Sequence, residues 1–161
     1  MKRLRRRDIR ARIRRQRVPT EQDWGNYQDD LDQNSAHEKF VGKTNEQVQR
    51  YFRENIIMTT EDLRWMPRIP FQYYIIGFKN FVASKNFEPS YASDPTSCFI
   101  RLVLEKLENH PDHILAIMPE LLPTVEYVAN HQKEFEADEG IYGSFREICK
   151  QIQALYSVLG G

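Results

Sequence analysis

The stretch that decides the fold is the most apolar one in the chain, residues 70–83, which reads PFQYYIIGFKNFVA. Its large apolar side chains recur at the three- and four-residue spacing of an α-helix, and most of the remaining positions are apolar as well. A helix that is apolar on all sides belongs at the centre of a protein. A β-strand over residues 73–76 is the competing interpretation, but the run is too long and lacks alternation. The stretch therefore predicts a central helix.

Capping signals divide the surrounding chain into further helices. A capping box has a hydroxyl residue followed three positions later by Glu or Gln, and such boxes begin at Ser35, Thr44 and Ser144. Gly42 is placed to follow the end of the first of these helices. The segment after Ser144 has the cleanest amphipathic pattern in the chain.

Threonines and prolines supply the remaining boundaries. Thr59 or Thr60 predicts the start of a short helix that ends before Pro67. Pro119 and Pro123 predict a break or a kink. The sequence shows no convincing strand and no repeat. We therefore predict an all-α fold, an irregular multi-helix bundle of six to eight helices with a basic N-terminal arm.

Charge is divided unevenly along the chain, although 23 basic and 23 acidic residues give a net charge of zero. Residues 1–17 carry ten basic residues and one acid, Asp8, whereas residues 18–161 carry 13 basic and 22 acidic residues. We predict a basic N-terminal arm, residues 1–18, that is flexible or conditionally helical, and a single all-helical domain, residues 19–161. Such asymmetry indicates an anionic partner for the arm, or an arm that folds back on the acidic domain.

Arginine dominates the arm, and its guanidinium group binds phosphate or carboxylate through paired hydrogen bonds. No aromatic residue is interleaved for base stacking, so nucleic acid would be bound through phosphates without sequence preference. The arm also lacks the Trp, Phe and Leu face of an interfacial membrane helix. A plain disordered tail is the alternative interpretation. The candidate anion-binding residues are Arg3, Arg5, Arg6, Arg7, Arg10, Arg12, Arg14, Arg15 and Arg17.

An acidic segment follows the arm, with five acids and no base between Glu21 and Asp32. Trp24, Tyr27 and Leu31 have helical spacing, which predicts a short helix with an acidic outer face. Aromatic residues surrounded by charge of one sign suit recognition of a basic protein surface. The alternative is a solvated face whose aromatic residues pack inward. The candidate partner-binding residues are Asp23, Trp24, Tyr27, Asp29, Asp30 and Asp32.

No pattern indicates a catalytic centre, a metal site or a cofactor. His110 and His113 supply at most two ligands, and no clustered Cys or His completes a zinc site. Cys98 and Cys149 lack the spacing of a disulfide framework, and buried free thiols are expected. Nucleophile elbows and phosphate loops are absent from the sequence. We therefore expect a protein that is not an enzyme and that needs no metal or cofactor.

Targeting signals are also missing from the sequence. The basic N-terminus is followed by residues 18–23, VPTEQD, and not by the apolar segment of a signal peptide. No apolar run approaches the length of a membrane span. The sequence therefore predicts a cytoplasmic protein.

Three short stretches carry a resemblance: residues 61–67 (EDLRWMP), residues 70–74 (PFQYY) and residues 119–123 (PELLP) with Glu126 and Tyr127. With them the chain resembles small bacterial all-α proteins, some of which resemble immunity or interaction partners encoded near toxins. The resemblance runs from about Trp24 to the C-terminus. It implies a non-catalytic protein-interaction module that binds a basic partner through its acidic body. The alternative is a nucleic-acid-binding or ribosome-associated protein anchored by its arginine-rich arm.

Overall fold

The computed structural model describes residues 5–160, and this part of the chain contains no β-strand. Its ten α-helices are α1 (Arg6–Arg15), α2 (Leu31–Phe40), α3 (Asn45–Glu54), α4 (Ile56–Trp65), α5 (Arg68–Ser84), α6 (Ser93–Asn109), α7 (Pro111–Ile114), α8 (Met118–Asn130), α9 (Glu139–Tyr142) and α10 (Phe145–Leu159). Short 3-10 helices lie at Glu21–Trp24, Tyr27–Asp29, Pro89–Tyr91 and Leu115–Ile117. The predicted all-α bundle is confirmed, but the described residues form ten α-helices, two of them of only four residues, where six to eight were predicted.

Helix α5 is the centre of this bundle, as its all-round apolar pattern predicts. It contacts α3, α4, α6, α7 and α8, and ten of its residues are buried. Aromatic contacts join it to its neighbours: Phe52 of α3 stacks on Phe78 with 4.8 Å between ring centroids, and Phe99 of α6 meets the same ring edge-on at 5.4 Å. The outer layers follow, with α10 on α6 and α8, and α2 on α4. One continuous apolar core results.

Two of the three predicted capping boxes begin helices. The Thr44 side chain accepts a hydrogen bond from the Gln47 N–H, and that of Ser144 accepts one from the Glu147 N–H. The box predicted at Ser35 is wrong, because Ser35 lies inside α2. Asp30 caps this helix instead, accepting a hydrogen bond from the Gln33 N–H at 2.9 Å. An aspartate earlier in the chain thus takes the capping role that was predicted for the serine.

The predicted start of α4 at Thr59 or Thr60 is also wrong. Asn55 caps the helix one turn earlier, where its side chain accepts a hydrogen bond from the Met58 N–H. Both threonine hydroxyls donate to backbone carbonyls, that of Thr59 to Tyr51 and that of Thr60 to Ile56. Internal satisfaction of these hydroxyls allows both residues to be buried within the helix.

The predicted break lies before Met118, where the 3-10 helix Leu115–Ile117 separates α7 from α8, and α8 itself runs through both of its prolines. Pro119 lies in the first turn, where its missing N–H has no helical partner to lose. Pro123 has no N–H, so the helix loses one hydrogen bond, the one that residue 123 would donate to the Pro119 carbonyl in the first turn. Among the described helices, none combines the length and apolarity needed to cross a bilayer.

Candidate functional site

The acidic segment is held in place by Trp24, which is fully buried. Its ring meets the His37 ring edge-on, with 5.3 Å between centroids, and lies 6.4 Å from that of Tyr74. Trp24 is therefore a core residue, and its predicted place on an exposed partner-binding face is wrong. Two 3-10 helices replace the single helix that was expected here, because Gly25 turns the chain with φ +59° after Trp24.

Beside Trp24, a carboxylate, a phenol and an imidazole form one cluster. The Tyr27 hydroxyl donates to Glu21 Oε1 at 2.7 Å, and His37 Nε2 lies 2.7 Å from Glu21 Oε2. The Tyr27 and His37 rings stack with centroids 3.6 Å apart. The hydrogen bond with His37, followed by that from Tyr27, lowers the pKa of Glu21. The hydrogen bond with Glu21 raises the pKa of Tyr27.

Sequence reasoning missed Glu21 and His37 as members of this cluster. Sixteen residues separate them, and no local spacing joins them. The only signal was the enrichment of acidic and aromatic residues around Trp24. The cluster ties the acidic segment to helix α2, so the segment is an ordered part of the domain surface.

The predicted aspartates divide into two groups. Asp23 and Asp30 stabilise the local backbone. Asp23 Oδ2 accepts hydrogen bonds from the Thr20 N–H and hydroxyl at 2.8 and 3.0 Å. Asp30 caps the N-terminus of α2. Asp29 and Asp32 are exposed on either side of Leu31, whose side chain is 88% exposed. The structure therefore groups an apolar residue with two carboxylates at the N-terminal end of α2.

The basic arm forms helix α1 over most of its described length. Residues 5–13 are all exposed, including Ile9 at 44% and Ile13 at 61%. Arg15 is half-buried and lines a cavity of about 170 Å³ together with Glu46, Tyr73 and Glu120. The side chains of Arg3 and Arg14 lie outside the described residues. The exposed arginines of the arm are Arg5, Arg6, Arg7, Arg10, Arg12 and Arg17.

His110 and His113 lie close together at the start of α7, and Asp112 lies beside them. Potential ligand atoms of His110, Asp112 and His113 lie within 4.8 Å of one another. A structural zinc site takes four protein ligands, whereas a catalytic one takes three and a water molecule. Burial lowers the pKa of His113, which disfavours its protonated form. The expectation that no metal binds here stays a prediction.

Lys106 is a buried cation that no motif indicated. Its Nζ donates to the Arg64 carbonyl at 2.5 Å and lies 4.9 Å from the centre of the Phe71 ring. Burial lowers the pKa of Lys106 to about 8. Arg64 is in the last turn of α4, where carbonyls lack helical partners, so Lys106 serves as a C-terminal cap.

Helix α4 has the reverse of the usual amphipathic pattern. Thr59, Thr60 and Asp62 are buried, whereas Ile57, Met58 and Trp65 are 54%, 49% and 45% exposed. Lys39 Nζ donates a hydrogen bond to the Asp62 carboxylate at 2.9 Å. Periodicity could not reveal this face, because apolar positions are read as buried ones.

Ile57, at the N-terminal end of α4, also lines a surface cleft. The cleft has a volume of about 670 Å³ and lies between the α3–α4 junction and the loop after α5. Ile57 and Tyr91 line it together with Glu54 and Glu88. Large exposed apolar residues next to one another are typical of interaction sites.

Comparison of the chain with protein-family models, with curated proteins and with solved structures finds no match.

Proposed function

We propose that this chain is a non-catalytic protein-interaction module of the bacterial immunity type, which binds a basic partner through its acidic body. The observation that carries the proposal is the ordered acidic segment at the start of α2. Leu31 is 88% exposed there between Asp29 and Asp32, and buried Trp24 fixes the segment to the core. An exposed apolar residue inside a rim of like charge gives a partner both a contact and an orientation.

Two further features support this proposal. Residues 18–161 have 22 acidic and 13 basic side chains, a net charge of −9 that favours association with a basic partner. The Glu21–Tyr27–His37 contacts keep the segment rigid, which reduces the conformational entropy lost on binding.

Site-specific photocrosslinking tests the proposal. A benzophenone amino acid placed at position 31 of the full chain should capture a strongly basic protein in bacterial cells. The matched control carries the same group at position 141, where Ile141 is similarly exposed but lies far along the chain in α9. Asp29→Asn with Asp32→Asn should weaken capture at position 31. Equal capture at both positions, or capture of an acidic protein, would contradict the proposal.

A second candidate function is nucleic-acid or ribosome association through the basic arm. The specific observation in its favour is that residues 5–13 form an exposed, arginine-rich stretch, nearly all of it helical. Such a helix binds phosphates without reading bases, so its affinity depends steeply on salt.

A salt-graded titration against mixed RNA and duplex DNA tests this second function. The full chain should bind more weakly as salt rises from about 50 to about 200 mM. Replacing Arg5, Arg6, Arg7, Arg10 and Arg12 by Gln should make the slope of log affinity against log salt shallower. On duplex DNA we expect a change of about 0.9 for each phosphate that the variant no longer neutralises. No binding by the full chain at about 50 mM salt would exclude nucleic acid as the partner of the arm.

A further inference from the structure

The exposed apolar face of α4 lies in acidic surroundings. Arg64 donates to Glu105 at 2.9 and 3.0 Å and also pairs with Glu61, so two carboxylates offset its charge. Glu54 and Glu88 are exposed and line the adjoining cleft with Arg53. With Asp94 and Lys85, which also line the cleft, five acids and three bases lie around this face. A ligand that fits it combines apolar side chains with positive charge.

Helix α1 of this same chain has that chemistry. Ile9 and Ile13 are one turn apart on α1, and both are exposed, as are Arg6, Arg10 and Arg12 near them. Apolar surface is hidden from water, and opposite charges are paired, if this helix lies on the α4 face.

The spacing of the apolar residues can be compared along the two helices. At a rise of about 1.5 Å per residue, Ile9 and Ile13 are about 6 Å apart along α1. Ile57 and Trp65 are about 12 Å apart along α4, with Glu61 midway between them. Arginine side chains also stack well on the face of a Trp ring, and Trp65 offers one at this site.

Within one chain the apolar residues of both surfaces remain exposed. Helix α1 packs on α5, and Arg15 near its C-terminal end lies beside Tyr73 and Glu120. Ile9 and Ile13 remain exposed in that position. If two α4 faces paired with each other, the acidic residues around them would repel one another.

We propose that the α4 face of one copy binds the α1 helix of a second copy. The contact is head-to-tail, since different surfaces of the two copies take part. It uses a surface other than the acidic segment at Leu31, so it goes beyond the proposed function and can fail without it.

A complementation experiment on the full chain tests this contact. The arm variant carries Ile9→Ser and Ile13→Ser, and the face variant carries Ile57→Ser and Trp65→Ser. All four residues are exposed, and circular dichroism and urea unfolding check that both variants fold. Sedimentation velocity should show wild-type association that weakens from about 50 to about 200 mM salt. Each variant alone should be monomeric under the same conditions, with an association constant at least tenfold below that of the wild type.

Mixing the two variants should restore a 1:1 dimer, because the pair retains one intact face and one intact arm. The control variant, Ile141→Ser with Val158→Ser, removes exposed apolar residues elsewhere and should associate as the wild type does. A monomeric wild type at high protein concentration would overturn the proposal. So would an association that the variants leave unchanged, or one that mixing does not restore, which would indicate face-to-face pairing.

Discussion

Trp24 and Trp65 have opposite surroundings, which makes them a matched pair for a stability test. Trp24 is fully buried among aromatic rings, whereas Trp65 is 45% exposed. Trp24→Ala should lower the free energy of unfolding by about 3–5 kcal/mol, because it leaves a large cavity. Trp65→Ala should lower it by less than about 1 kcal/mol. Urea unfolding measures both, and equal losses would mean that Trp24 is not a core residue.

Lys106 gives stability a specific pH dependence. Its pKa is about 8 in the folded chain, below the usual lysine value of roughly 10.4. Below pH 8 both folded and unfolded chains hold the proton, and the unfavourable effect of burying the ammonium group is present in full. Between these pKa values only the unfolded chain holds it, so the folded state gains stability as pH rises.

The comparison variant for this effect is Lys106→Met, which keeps the length of the side chain and removes its charge. The stability of the wild type relative to this variant should increase from pH 7.5 to pH 10, by at most about 3 kcal/mol. Thermal unfolding of both proteins across that range measures the difference. A constant difference would show that the ammonium group is not destabilised by its surroundings.

At the scale of helices, α3 and α5 approach closely at Gly77. A Cβ added to Gly77 would lie 2.8 Å from Asn45 Cγ. The Asn45 side chain is buried and donates to the Tyr73 carbonyl at 3.0 Å, so it has little freedom to move. Alanine in place of glycine normally stabilises a helix by about 1 kcal/mol. Here Gly77→Ala should destabilise the protein by about 1–3 kcal/mol.

Chemical denaturation of Gly77→Ala in two backgrounds tests the cause of that loss. In the Asn45→Ala background the added methyl group has space, so the loss should become smaller or change sign. A stabilising effect of Gly77→Ala in the wild-type background would mean that the two helices are not in tight contact.

Helix positions were predictable from the sequence where no second capping residue lay nearby. Thr44 and Ser144 begin their helices as predicted, and the apolar stretch of residues 70–83 forms the central helix. Ser35 failed because Asp30 caps the same helix earlier. The start of α4 was missed because Thr59, Thr60 and Asp62 are buried; Thr59 and Asp62 have polar partners on other helices, which no pattern within one segment discloses.

Candidate binding residues were less predictable, since burial depends on tertiary packing. The acidic and aromatic residues around Trp24 do form one structural unit, but Trp24 and Tyr27 pack toward His37. Asp23 and Asp30 accept hydrogen bonds from backbone N–H groups, whereas Asp29 and Asp32 are exposed on either side of Leu31. Composition located the segment, and only the fold could assign roles to its members.

At the scale of the whole molecule, a net charge of zero coexists with strongly charged segments. Full-length protein at pH 7 and low salt should therefore be retained on both cation- and anion-exchange resins. The variant with Gln at positions 5, 6, 7, 10 and 12 should lose retention on the cation exchanger and keep it on the anion exchanger. Flow-through of the wild type on both resins would mean that the arm and the body neutralise each other.

The inverted pattern of α4 also bears on how the molecule opens. Leu63 is the one apolar residue among the four buried residues of α4, whereas α5 buries ten residues, most of them apolar. Detaching α4 therefore uncovers little apolar surface, and its amide hydrogens should exchange with deuterium earlier than those of α5. Hydrogen-exchange mass spectrometry can follow both helices at once. A ligand bound to Ile57 and Trp65 would slow amide exchange in α4 before it slowed exchange elsewhere. The exchange rate of this helix would therefore measure binding.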